Sequence, residues 1–133
     1  MATARDIPGM AFKNASLVLL ARVMGSSGRP VTSAELSGAS YTIYRLDAGD
    51  PDSETPVAGH SGQALGVGAI IFDVLQVDDL WDVDVVGYNF KHTIDVSSQQ
   101  AFATAGVFYR VRYELTVVGG GQPIVVRFKV KAV

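Results

Sequence analysis

The chain has 133 residues, of which 48% are hydrophobic, with no cysteine and a formal net charge of −2. That length fits one domain around a single core, and the absence of cysteine excludes a disulfide framework, thiolate nucleophiles and cysteine-ligated zinc. So small a net charge predicts neither a nucleic-acid nor a membrane partner, and the longest early apolar run, Leu17 to Ala21, is too short for a signal peptide or a bilayer span. A soluble chain without a leader is expected.

Residues 1 to 12 contain Pro8 and Gly9 and show no periodicity, yet they carry Ile7, Met10 and Phe12. They read as an N-terminal arm outside a domain of residues 13 to 133, one that serves association more than folding. Ala15 to Met24 is a strand with Leu17, Leu19, Ala21 and Val23 on one side. Val18 and Leu20 make its other side apolar too, which predicts a second cover or a partner. Gly25 to Pro30 is a turn cluster, and Ala39 to Leu46 is the next strand. Asp47 to Pro56 is a polar loop, and Val57 to His60 a short edge strand.

Gly66 to Gln76 reads as a strand with Ile70, Phe72 and Val74 on one face, followed by an acidic connection around Trp81. Val85 to Val96 alternates, with Tyr88, Phe90, His92, Ile94 and Val96 on the apolar stripe. Ser97 and Gln100 have capping-box spacing, which predicts one helical turn before Ala105 with Phe102 as its plug. The period-two pattern is cleanest at the end of the chain. Odd positions from Val107 to Val117 are apolar or aromatic, while Arg110, Arg112, Glu114 and Thr116 lie between them. After Gly119, Gly120 and Gly121 the pattern restarts with Ile124, Val126, Phe128 and Val130 against Arg127, Lys129 and Lys131. These are two strands of an antiparallel hairpin. Six or seven such strands with almost no helical period argue an all-β, two-sheet antiparallel sandwich. Its inward set is Leu17, Leu19, Tyr41, Ile43, Ile70, Phe72, Tyr88, Phe90, Val111, Tyr113, Phe128 and Val130.

The run Ala105-Gly106-Val107-Phe108-Tyr109-Arg110-Val111 resembles the opening of the penultimate strand of immunoglobulin-like sandwiches. The chain departs from that family in lacking its cysteine pair and in the position of Trp81. Gly28-Arg29-Pro30-Val31 through Leu36-Ser37-Gly38-Ala39-Ser40-Tyr41 is further similar to the small sandwich domains of tailed-phage baseplate and tail accessory proteins. The resemblance implies a structural or adaptor role in a virion or phage-like particle, and transfers no catalytic residue.

The candidate chemistry is sparse. Zinc would need His60 and His92 plus carboxylates from distant segments. No serine lies in a nucleophile elbow, and the glycine run lacks the Lys-Ser/Thr of a phosphate loop. His92 reads as a hydrogen-bonded core histidine, and His60 as solvated. The aspartates from Asp73 to Asp84 suit calcium by type but not by spacing. No catalytic residue, metal or cofactor is therefore assigned.

Charge, by contrast, is segregated. Asp47, Asp50, Asp52 and Glu54 form one acidic segment and Asp73, Asp78, Asp79, Asp82 and Asp84 another, while Arg110, Arg112, Arg127, Lys129 and Lys131 share the outer face of the last hairpin. Antiparallel registers that set Glu114 against Arg127 or Lys129 leave Arg112 opposite Lys129 or Lys131, which calls for compensation by a neighbouring strand's carboxylates, a nucleic-acid phosphate or an acidic partner surface, unless the long side chains splay into water. The expected function is a non-enzymatic structural or interaction protein that assembles with copies of itself through a heterologous contact, or docks onto a larger assembly. Its contact residues would be Ile7, Met10, Phe12, Val18 and Leu20, with Asp50 and Asp79 meeting the basic face. The alternative is a carbohydrate-binding module, calcium-assisted, stacking a sugar on Trp81, Tyr88 or Tyr44.

Overall fold

The computed structural model describes residues 6–25, 27–50, 53–97 and 99–133. Among these, nine strands form two sheets: β1 (Asp6–Ala11), β2 (Leu17–Ala21), β3 (Leu36–Leu46), β4 (Glu54–Pro56), β5 (Gln63–Leu65), β6 (Ile71–Gln76), β7 (Tyr88–Ile94), β8 (Phe108–Val117) and β9 (Ile124–Ala132). The larger sheet has the order β1-β9-β8-β3-β4, with β5 also on β3, and the smaller one the order β2-β7-β6. The all-β, two-sheet architecture expected from the alternation is present. No helix among the described residues is long and apolar enough to cross a membrane.

The long hairpin is set by its alternation. Tyr109, Val111, Tyr113 and Leu115 of β8 and Val126, Phe128 and Val130 of β9 are buried, and Gly119, Gly120 and Gly121 close the turn with φ of 84°, 86° and 104°, left-handed values that glycine adopts without a Cβ penalty. Facing them from the smaller sheet are Leu19, Ala21, Phe90 and Ile94. Phe90 sits edge-on to Tyr113, with ring centroids 4.7 Å apart, and stacks on Phe128 at 6.2 Å.

Four local expectations are revised. Residues 6 to 11, read as an arm, form the edge strand β1 and pair in parallel with β9, Ile7 opposite Phe128 and Ala11 opposite Ala132. Ala11 is buried, so this segment belongs to the fold, and the sheet is not purely antiparallel. Residues 1 to 5 of the arm lie outside the described residues. In the polar stretch after β3, β4 and β5 replace the single strand expected at Val57 to His60. These three-residue pieces pair through the backbone and bury little side chain, so they leave no apolar alternation to read. Residues 57 and 60 instead bridge to Ile43 through Val57 N to Ile43 O and Ile43 N to His60 O, both 2.8 Å.

The third revision concerns the face of β6. Val67–Ile70 is a helical turn, α1, which buries both Ile70 and Ile71 and leaves Val74 72% exposed. A helical step rotates successive side chains by about 100° instead of 180°, so the faces assigned to Ile70, Phe72 and Val74 do not carry through. Phe72 is half-buried against Tyr88. Finally, Ser97 and Gln99 lie in bends and Gln100 in irregular backbone, not in a helical turn; Ser98 is outside the described residues. Phe102 is fully buried, edge-on to Tyr109 at 5.4 Å, and fills the plug position expected of it.

Phe90 is central to the core, so Phe90→Ala should lower unfolding free energy by about 3–5 kcal/mol through the cavity it leaves. Urea denaturation of the two proteins measures this, and a loss below about 1 kcal/mol would mean that the ring does not bridge the two sheets as described.

Candidate interaction surfaces

Register decides which charges meet on the outer face of the larger sheet. Arg112 stands opposite Arg127, Arg110 opposite Lys129, and Glu114 opposite Val125, a pairing offset from the registers expected. Two like-charge pairs therefore face each other, which costs stability unless a carboxylate intervenes. Asp6 does so. As the first residue of β1 it lies beside Arg127, accepting hydrogen bonds from Arg110 Nε at 3.1 Å and Nη2 at 3.0 Å and from Arg127 Nε at 3.1 Å. Burial opposes its charge, but the two guanidiniums outweigh burial and hold its carboxyl below the usual range. On the other side, Glu54 of β4 accepts from Arg110 Nη1 at 2.8 Å, and Glu114 accepts from Arg112 at 3.2 Å. Much of the segregated charge is thus neutralised within the chain.

What remains is at one end of this face. Lys129 and Lys131 lie over the Phe108 ring, 4.9 and 5.9 Å from its centroid, with no carboxylate among the described residues at ion-pair distance. Met10, opposite Lys131, is on the same face and exposed. Beside them opens a concavity of about 600 Å³ lined by Leu46, Val107, Phe108 and Lys129 and walled by Arg45 and Ser53. Leu46 is buried there outside the main core.

The second acidic segment, residues 77 to 87 between β6 and β7, is at the opposite end. Two of its four aspartates shape the backbone. Asp78 accepts from Leu80 N at 3.0 Å and from the Tyr88 hydroxyl at 2.6 Å; the latter bond raises the Tyr88 phenol above its ordinary value. Asp84 accepts from Trp81 Nε1, Val86 N, Gly87 N and Arg22, and these donors, the indole foremost, hold its carboxyl well below the carboxylate range. Gly87 closes the loop: a Cβ there would lie 2.4 Å from Gln76 O, at a φ of 108°. With Asp78, Trp81 and Asp84 bonded to the loop's own base, the loop exposes Val77, Leu80, Val83, Val85 and Val86, Val85 to 90%. Asp79 and Asp82 are exposed and have no ion pair among the described residues.

The remaining expected contact residues are dispersed. Val18 and Leu20 lie on the outer face of the smaller sheet, opposite Thr93 and Lys91. Phe12 is exposed just after β1, whereas Ile7 points to the inner side opposite Phe128. Asp50 is in the β3–β4 turn at the concavity's end, so Asp50 and Asp79 form no single patch.

Among the described residues, the aromatics expected to stack a sugar do not share one exposed plane. Tyr88 is buried under Trp81, ring centroids 5.7 Å apart and 41° out of plane, while Tyr44 is on the other sheet. No three His, Asp or Glu side chains among the described residues come together as a metal site. Both histidines are in the interior, which corrects the solvated reading of His60. His60 is bonded to the Tyr41 hydroxyl at 2.8 Å and to Gln99 O at 2.9 Å, and His92 Nδ1 to the Tyr113 hydroxyl at 2.6 Å. Burial pushes the Tyr113 phenol well up, and burial followed by the nearby His60 pushes the His92 imidazole down to about 4. The glycines flanking His60 gave a false signal of exposure.

No protein-family model matches the chain, and comparisons with curated proteins and with solved structures found no match either.

Two outcomes test these electrostatics. Asp6→Asn should cost about 1–2 kcal/mol at pH 7 and less in high salt, because two guanidiniums lose their common acceptor. In the parent that contribution is present above the ordinary Asp pKa near 4 and is lost as pH falls through the lowered value. An unchanged urea midpoint would show that Asp6 does not neutralise this face. For His92 the unfolded state takes a proton near pH 6.5 and the folded state only near 4, so stability should fall as pH drops through that window. The expected loss is on the order of 2 kcal/mol, allowing for partial solvent screening, and His92→Gln should remove most of it in urea titrations at pH 7 and 4.5.

Proposed function

We propose that this chain is a non-enzymatic, immunoglobulin-like structural domain that acts by protein–protein contact, assembling with its own copies or on a larger particle. The strand pairing supports the fold reading. β2, β7 and β6 follow the order of the B, E and D strands, and β9, β8, β3 and β4 that of G, F, C and the additional strand of variable-type domains. Near the start of β8 the Tyr109 hydroxyl accepts from Thr104 N at 3.2 Å, five residues upstream, in the manner of a tyrosine corner. Val111, two residues on and fully buried, occupies the position of the family's second cysteine.

The observation that carries the functional reading is the 77–87 loop. Asp78, Asp84 and the Trp81 indole are spent on internal hydrogen bonds, and the aliphatic side chains are presented to solvent on a backbone held by those bonds. Apolar exposure of that kind marks an interaction surface, and a preordered loop gives up little entropy when it binds. The likeness of residues 28 to 41 to tailed-phage baseplate and tail accessory domains supplies the class of particle, a virion or tail.

Sedimentation velocity over a concentration series tests this reading in low and high salt. We expect species larger than the monomer that grow with concentration and persist in high salt, since apolar contact supplies most of the affinity. A strict monomer at about 1 mM in both conditions, well above the Kd of even a weak stable contact, would overturn self-assembly.

A further inference from the structure

The two unsatisfied surfaces are complementary and lie at opposite ends of the molecule. At one end, β3, β8 and β9 meet at Leu36, Val117 and Ile124, and the 77–87 loop belongs to this end. Ser33 N donates to Asp73 at the start of β6, Arg22 to Asp84, and Asn89 to Val31 O. At the other end are Leu46, Phe108 and the concavity. The 11 residues of β3 separate the two ends by roughly 30 Å at strand rise.

Their chemistry is opposite in sign and alike in polarity. The loop carries exposed Leu80 and Val83 next to Asp79 and Asp82, two carboxylates with no ion pair among the described residues. The concavity has an apolar floor of Leu46, Val107 and Phe108, and three cations, Lys129 and Lys131 over the Phe108 ring and Arg45 on the rim, outnumber its one lining carboxylate, Asp47, which accepts from Gly49 N. Arg110 and Arg127 are already satisfied by Asp6 and Glu54, so on the outer face of β8 and β9 the cations without an ion pair among the described residues are Lys129 and Lys131.

Resting on the reading of the chain as a self-assembling domain, we infer that the 77–87 loop of one copy docks into the Leu46–Phe108 concavity of the next, with Leu80 and Val83 entering it and Asp79 and Asp82 meeting Lys129, Lys131 and Arg45. The contact is heterologous, because the donor and acceptor are different surfaces on one subunit. It therefore propagates head to tail and closes into a ring or extends as a stack. Desolvation of the aliphatic side chains supplies the affinity, and the charges orient the copies.

The test uses two full-length variants, one with a disabled loop (Leu80→Asp with Val83→Asp) and one with a disabled acceptor (Phe108→Asp with Lys129→Glu). All four positions are at the surface, and circular dichroism with thermal melting checks that both variants fold as the parent does. Each alone should sediment as a monomer, with self-association weakened at least ten-fold. Mixed in equal amounts they should form one-to-one dimers and nothing larger, since the loop-disabled copy keeps its acceptor and the acceptor-disabled copy keeps its loop. An acceptor-disabled variant that assembles as the parent does would overturn this contact while leaving self-assembly standing, as would a mixture that stays monomeric when the parent associates. A parent that is itself monomeric would overturn both, and would assign the concavity to a foreign ligand.

Discussion

The carboxylate of Asp6 offsets the like-charge contacts that the register of the larger sheet creates. Packing Tyr109, Val111 and Tyr113 against Phe128 and Val130 on the inner face leaves no freedom on the outer face, because side chains alternate strictly along a strand. The same register that completes the core sets Arg112 against Arg127 and Arg110 against Lys129. A hairpin of this sequence in isolation would be self-repelling. The parallel addition of β1 brings one acceptor between two guanidiniums, and Glu54 on β4 takes the free nitrogen of Arg110 from the opposite side. Segments far apart in the sequence are thereby tied to the central strands by charge as well as by backbone pairing.

Polar groups do comparable work inside. Asn89 is buried in β7, where its Oδ1 accepts from Val23 N at 2.7 Å and its Nδ2 donates to Val23 O and Val31 O at 3.0 Å. One side-chain amide thus takes the place of a strand, fastening the chain that leaves β2 and the chain that enters β3. The Tyr41–His60 and Tyr113–His92 pairs lie in the space between the sheets, where aliphatic groups would fill volume without fixing a direction. Every buried side-chain nitrogen and oxygen among the described residues has a partner, so these groups add directional constraint without an unmet desolvation cost.

Legibility in the sequence followed the burial of side chains. β8 and β9 could be read at once because each has one wet and one dry face, and the inward positions of Leu19, Ile43, Phe90 and Val111 follow from the same period. β1, β4 and β5 could not, since they are held by backbone hydrogen bonds and bury few side chains; the pairings of Asp6 with Arg110 and Arg127 and of Glu54 with Arg110 give a charge pattern, but one that depends on a register the sequence does not state. Asn89 did carry a signal. A residue disfavoured in strands, placed among Tyr88, Phe90 and Ile94, calls for a buried bonding partner. The acidic connection misled for a different reason: counting Asp73 to Asp84 as surface charge overlooks that an aspartate within a turn bonds nearby backbone nitrogens first, as Asp78 and Asp84 do.

That use of aspartate explains why the exposed loop between β6 and β7 can be both acidic and apolar in effect. Asp78 and Asp84 turn inward, and so does Trp81, the largest apolar group of the segment, which rests on Tyr88 and donates to Asp84. The aliphatic residues between them are forced outward, because the inner side of the loop is already filled. The acceptor end is built the other way round: its aromatic ring, Phe108, is on the surface beneath two lysine side chains, and its aliphatic Leu46 is beneath the rim. A loop that offers small branched side chains and residual negative charge and a hollow that offers an apolar floor and residual positive charge are thus each produced by local packing. Their complementarity lies in what each end of the fold leaves unsatisfied.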